Sequence, residues 1–225
     1  MSKPRLLSFI LAFLSGYVDT AVFVYMGGLF VAHVTGNFVL LGATLAGQHI
    51  GGDHGSTIAL QLLAFPVFIA AAGFAAIVAG RVGAGTTRML LAMSTLILAG
   101  VAIAALLGLD VRVPGSLALV VAMGILNAAH RLDPSLGPPF TVMTGNVTGI
   151  AIVLARLARL APASVGGKQP IALAVFSVVG FLFGCAGGAI AQAYLGLGAM
   201  IVPALLTGAA IALVGPGIAA AKPAP

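Results

Sequence analysis

Long apolar runs, separated by charges, glycine clusters and prolines, make up almost the whole chain. A spanning helix needs about 20 mostly apolar residues. Eight segments of that kind emerge, at approximately 6–26, 28–47, 57–80, 89–109, 115–130, 139–160, 170–194 and 196–215. Residues 48–56, Q-H-I-G-G-D-H-G-S, read as the clearest loop of the first half. Residues 160–169, with Pro162, Gly166 and Gly167, read as the counterpart in the second. The tail 218–225, ending A-K-P-A-P, reads as disordered. Lys3 and Arg5 precede the first run as they would in a signal peptide. That run continues through Tyr25 without an A-x-A site, so a retained first helix is expected.

The pattern repeats. Thr35-Gly36-Asn37 recurs as Thr144-Gly145-Asn146 at an offset of 109. Gly16-x-x-Asp19 matches Gly124-x-x-Asn127 at an offset of 108, and Ala72, Ala76 and Gly80 match Gly180, Gly184 and Gly188, again at 108. Landmarks in one order with a one-residue adjustment predict a tandem duplication, with membrane repeats at 1–110 and 111–217. The spacing Gly180-x-x-x-Gly184-x-x-x-Gly188 leaves one helical face without side chains, so that another backbone can approach; the same faces also suit homo-oligomer formation.

Composition converts these segments into a class. The 225 residues are 61% hydrophobic and 6% charged, with a mean hydropathy of +1.21; soluble domains carry roughly 25% charged residues. Four acids cannot coat a water-facing surface of this size, so the chain is expected to be an all-α polytopic membrane protein with lipid as most of its solvent. The net charge of +6 sits at the ends of apolar runs, as inner-leaflet anchors do, and not in a nucleic-acid-binding patch. A single cysteine, Cys185, excludes an intramolecular disulfide.

Charge placement bears on topology. Eight full crossings from an internal N-terminus would give parallel repeats and leave Arg81, Arg88 and Arg131 outside. If the two TGN-bearing segments are broken and re-enter, only Arg112 is outside, which fits the positive-inside rule better. The favoured arrangement has three transmembrane helices plus one broken or re-entrant helix per half, and an odd number of crossings inverts the second half against the first.

Polar groups inside apolar segments are costly and therefore candidates for function. Asp19 is foremost, being the carboxylate well inside a hydrophobic run, with Arg5 and His33 the nearest bases, fourteen positions away on either side. A buried carboxyl with no charge partner favours its neutral form, so Asp19 is expected to take and release a proton; a hydrogen bond to a neighbouring helix is the structural alternative. Its counterpart Asn127 cannot titrate, which suits a single proton or cation site between two halves. Thr35, Asn37, Thr144 and Asn146 belong to glycine-permitted breaks, which at membrane depth are tolerated where they line a cavity. Capping and packing of the broken helices is the equal alternative. On helical spacing His33 and Asn37 share a face, as do Thr141, Thr144 and Thr148. His33 could bind a solute or shuttle a proton, or pack through a hydrogen bond. Arg131, beside His130, reads first as an anchor and second as an attractor of anions. His49, Asp53 and His54 are a weak metal cluster, and Gln61 is expected to satisfy carbonyls near the kink at Pro66. No nucleophile elbow, phosphate loop, zincin helix or paired carboxylates are present, and no enzyme, cofactor or metal site is expected.

The run G-Y-V-D-T-A-V-F from Gly16, then G-G-L-F-V-A-H-V-T-G-N-F-V-L-L-G to Gly42, resembles the YoaK family, as do G-I-L-N-A-A-H-R-L from Gly124 and V-M-T-G-N-V-T. The resemblance spans nearly the whole chain. It implies a multi-pass protein of the bacterial inner membrane, from a family catalogued as a domain of unknown function and described as small-molecule transporters. The expected function is a secondary carrier for a small polar solute, proton-coupled through Asp19, with Asn37, Asn127 and Asn146 around a central site. A passive channel or a non-transporting scaffold are the alternatives.

Overall fold

The computed structural model describes residues 2–48, 54–162 and 171–215. Eight α-helices occupy them: α1 (Lys3–Met26), α2 (Gly36–Leu45), α3 (His54–Val82), α4 (Thr86–Leu106), α5 (Arg112–Leu132), α6 (Met143–Leu157), α7 (Ile171–Leu195) and α8 (Ile201–Leu213). Short 3₁₀ turns lie at Pro134–Leu136 and Gly196–Met200, and no strand occurs among the described residues. Five helical stretches are long and apolar enough to cross a membrane: α1, α3, α4, α5, and the run Ile171–Leu213 that contains α7 and α8. The outward faces carry large apolar side chains such as Leu96, Leu182 and Ile190. Such surface is stable in lipid and not in water, so the chain has the architecture of a multi-pass membrane protein.

The two TGN-bearing segments are broken. Helix α2 has ten residues and α6 fifteen, which at 1.5 Å per residue gives about 15 and 22 Å against a hydrocarbon core of about 30 Å. The first break begins where Gly27 takes a left-handed conformation (φ 67°) and its N–H returns to the Phe23 carbonyl, ending α1. Residues 27–35 then run without regular structure until Gly36 opens α2. His33 and Asn37 therefore do not share a helical face, contrary to the spacing argument, because His33 precedes the helix. Thr141 likewise precedes α6, while Thr144 and Thr148 are exposed on it.

Helix α1 is the most enclosed element and α3 is turned mostly outward. The main packing pairs are α1 with α7 and α3 with α5, with α4 packing on both α5 and α8. A Cβ at Gly180, Gly184 or Gly188 would run into the main-chain carbonyl of Phe9, Phe13 or Tyr17 respectively. The two backbones are thus in contact, and equal steps in the same direction make α1 and α7 parallel. Gly16 closes the same seam, 2.5 Å from the Phe181 oxygen at its absent Cβ. On α3 the expected small-residue face at Ala72, Ala76 and Gly80 is displaced by one residue. Ala71 and Ala75 are buried, whereas Ala76 and Gly80 are exposed. Ala71 meets Gly124 of α5, whose absent Cβ would lie 2.9 Å away.

Gln61 satisfies a carbonyl, but not one beside the Pro66 kink. Its Nε2 donates to Gly28 O at 2.5 Å, and Thr57 Oγ1 donates to Met26 O at 2.9 Å. Both side chains reach from α3 to the frayed end of α1, where carbonyls left by the break need donors at membrane depth.

Candidate functional site

The break after α1 folds residues 31–33 back over Asp19, and this reverses the expectation of an unpartnered carboxyl. Asp19 is buried, and its Oδ1 accepts from the backbone N–H groups of Val31 (2.8 Å) and Ala32 (2.7 Å). Its Oδ2 accepts from the His33 N–H (3.1 Å) and lies 2.5 Å from His33 Nδ1. Sequence distance had concealed the pair, since fourteen residues collapse to one hydrogen bond when the chain turns at Gly27 and Gly28. Three backbone N–H groups already point at the two oxygens, so the carboxylate acts as an acceptor and the ring supplies a hydrogen from Nδ1. The Nε2 of His33 is then left with its lone pair and makes no hydrogen bond among the described residues. The edge of Phe181 from α7 fixes the ring, at 5.4 Å between centroids and an interplanar angle of 74°.

His33 borders a cavity of about 200 Å³, lined also by Thr35, Phe68, Asn127 and Thr141. Ligand pockets commonly run about 300–1,000 Å³, so this one suits a solute of a few heavy atoms. Across from His33, Thr141 Oγ1 donates to Asn127 Oδ1 at 2.9 Å, while Asn127 Nδ2 is committed to Met123 O. The lone pairs of the Thr141 oxygen and the hydroxyl of Thr35 are the other polar groups of the wall. A second cavity, of about 350 Å³, adjoins the first through Phe68, Asn127 and Thr141 and continues to His130 and Arg131.

Of the residues singled out in the sequence, His33, Thr35 and Asn127 meet at one cavity, with Asp19 immediately behind His33. Asn37 and Asn146 do not join them. Asn37 is fully buried and exchanges two 2.9 Å hydrogen bonds with the backbone of Phe30; Asn146 is buried and reaches the Pro139 carbonyl at 3.5 Å. Proline has no N–H to return, so the second tie is single. These amides hold the breaks closed at their own helix starts, and Thr144 faces outward. Thr141 and Phe68 were not singled out as site residues. Thr141 was recoverable, because it follows Asn127 by the same fourteen positions that separate His33 from Asp19; nothing in the pattern marks Phe68. Of the weak metal cluster, His49, Asp53 and the His54 side chain lie outside the described residues, as do Lys168 and the tail from residue 218.

Beyond the membrane-spanning part of α5, Asp133 caps its end. Burial works against the charged form, but hydrogen bonds from Ser135 and from Thr87 Oγ1 (2.7 Å) hold its carboxyl below the ordinary value. His130 donates from Nε2 to Gly137 O at 2.8 Å, which leaves its Nδ1 buried without a partner.

Residues 7–213 match the profile of a family described as protein of unknown function, DUF1275, within which YoaK falls. No curated protein and no solved structure matches the chain.

Proposed function

The chain belongs to the DUF1275 family, and from that premise we propose that it is a carrier for a small polar solute. The carrier reading rests above all on one observation: His33, held by Asp19 in the first half and with no partner for its Nε2 among the described residues, lines a cavity whose far wall, Asn127 and Thr141, comes from the second half. The solute takes up the polar edge of that cavity, and His33 takes a proton from the side open at the time. Asp19 stabilises the resulting imidazolium and returns the ring to one tautomer afterwards. Proton handling thus moves from Asp19, which is committed to four donors, to its partner. Asp19 on α1 meets the ring, Cys185 on α7 lies within electrostatic reach of Asp19, and His130 and Arg131 of α5 line the adjoining cavity.

Two inverted repeats are the arrangement this mechanism uses, and several correspondences support it. The pairs Asp19–His33 and Asn127–Thr141 are both fourteen residues apart, and Asn37–Phe30 and Asn146–Pro139 both seven. The first helix of each half packs on the third helix of the other, α1 on α7 and α5 on α3. Small helices that stop short of a full crossing, α2 and α6, supply the breaks at the joint between halves. In this reading the protein sits in the bacterial inner membrane with a cytoplasmic N-terminus, works without a cofactor and performs no chemical conversion.

The test is uptake into proteoliposomes with and without an imposed pH gradient. Wild-type protein is expected to accumulate solute down the gradient, and His33→Gln to keep downhill exchange while losing gradient-driven accumulation. Undiminished accumulation in His33→Gln would remove the histidine from the mechanism. Flux that fails to saturate and barely responds to temperature would instead mark a channel; a stable co-purifying partner without any flux would mark a scaffold.

A further inference from the structure

The charge balance of the two adjoining cavities points to the class of solute. Their walls carry one guanidinium, that of Arg131, two imidazoles and the polar groups of Asn127, Thr35 and Thr141, and no carboxylate. The nearest acids are already satisfied. Asp19 receives three backbone N–H groups and the His33 ring, and Asp133 receives Thr87 Oγ1 on one oxygen and the Ser135 N–H on the other. Arg131 has no acidic partner: among the described residues the one basic side chain within reach of a carboxylate is His33, on Asp19. His130, on the same wall, is buried and has its Nδ1 orphaned. Arg131, exposed at the end of α5, is thus the one charge on these walls and has no counter-charge, and a cationic group so placed favours an anion. The fork of a guanidinium matches a carboxylate in two parallel hydrogen bonds. The remainder of the larger cavity, Phe68, Pro139, Phe140 and Val142, is apolar, which suits a short carbon skeleton and disfavours a fully hydrated inorganic ion.

Resting on the carrier reading above, we propose that the solute is a short-chain organic carboxylate, and that Arg131 recognises its carboxyl group before it reaches His33. A carboxylate arriving with the proton taken by His33 crosses as a neutral pair, so the proton and the anion share one cavity system and neither is moved alone.

The experiment measures uptake of lactate and pyruvate against lactamide and pyruvamide, which differ from them by the charge, using proteoliposomes with lipid-only vesicles as baseline. Wild type is expected to carry the acids at least tenfold faster than the amides. Arg131→Gln is expected to raise the apparent KM for the acids about tenfold or more, and Arg131→Lys, which keeps a point charge without the fork, to fall between. Amides carried as fast as acids, or an Arg131→Gln variant with unchanged KM, would overturn the anion assignment and leave the carrier intact. No flux of any of the four above the lipid baseline would likewise overturn the short-chain carboxylate, whereas the carrier reading falls on the gradient test above. The comparison of acids with amides in wild type decides the matter even if the Arg131 variants do not fold.

Discussion

Replacing Asp19 by asparagine separates the two tasks that the structure gives this residue. The carboxylate accepts four hydrogens, on the amides of Val31, Ala32 and His33 and on His33 Nδ1. Asparagine keeps an oxygen for the first two, but turns an NH₂ toward the other two donors. Losing two hydrogen bonds to a charged group, each worth about 1.5–3 kcal/mol, costs about 3–6 kcal/mol. Part returns if the His33 ring moves its hydrogen from Nδ1 to Nε2, because Nδ1 can then accept from the new amide. With one neutral hydrogen bond regained the net loss is about 2–5 kcal/mol, and Nε2 changes from acceptor to donor. Thermal unfolding in detergent measures the first effect, and ¹⁵N chemical shifts of the His33 ring measure the second. The expected result is a less stable protein, still folded, with the opposite tautomer. Wild-type stability with an unchanged ring would mean that the Asp19–His33 bond does not organise this site.

Other outcomes follow from packing and from the acid at the end of α5. Gly184→Ala drives a methyl into the Phe13 carbonyl and is expected to cost about 1–3 kcal/mol, whereas Gly80→Ala, with nothing within 4 Å, is expected to be neutral or to gain up to about 1 kcal/mol of helix propensity; comparing the two unfolding midpoints tests the α1–α7 seam. Asp133 is held below its ordinary value in the folded state, so its contribution is present above the unfolded carboxyl range and lost as pH falls through the folded one. Thr87→Val removes a donor to Asp133, and the fall in stability on acidification should become shallower; an unchanged acid limb would show that the hydrogen bond contributes nothing.

The class of this fold is plain in the sequence, and its joints are not. Apolar runs mark α1, α3, α4, α5 and α7 because a lipid-facing helix must be apolar over its whole length. The same signal overstates the TGN segments, because residues 28–35 are as apolar as a helix although their backbone is paid out to side chains of other elements. Asp19 and Gln61 stand out in the sequence as costly polar residues, and their partners are invisible because each lies on a different element. Thr35 and Asn37, two positions apart in one motif, part company: Thr35 borders the cavity while Asn37 closes the loop on Phe30. The one-residue slip between Ala72 and Ala71 has a similar origin, since a repeat offset locates a face only to within the insertion that separates the two halves.

The central claim is that the cavity between His33 and Thr141 is the path of the solute, and site-directed thiol labelling examines it directly. With the native Cys185 replaced by serine and Thr141→Cys introduced, a small methanethiosulfonate reagent is applied to proteoliposomes carrying out lactate uptake. The account expects modification to stop uptake and lactate to slow the modification, because probe and solute compete for about 200 Å³. Complete labelling of that cysteine with uptake unaltered would place the path elsewhere.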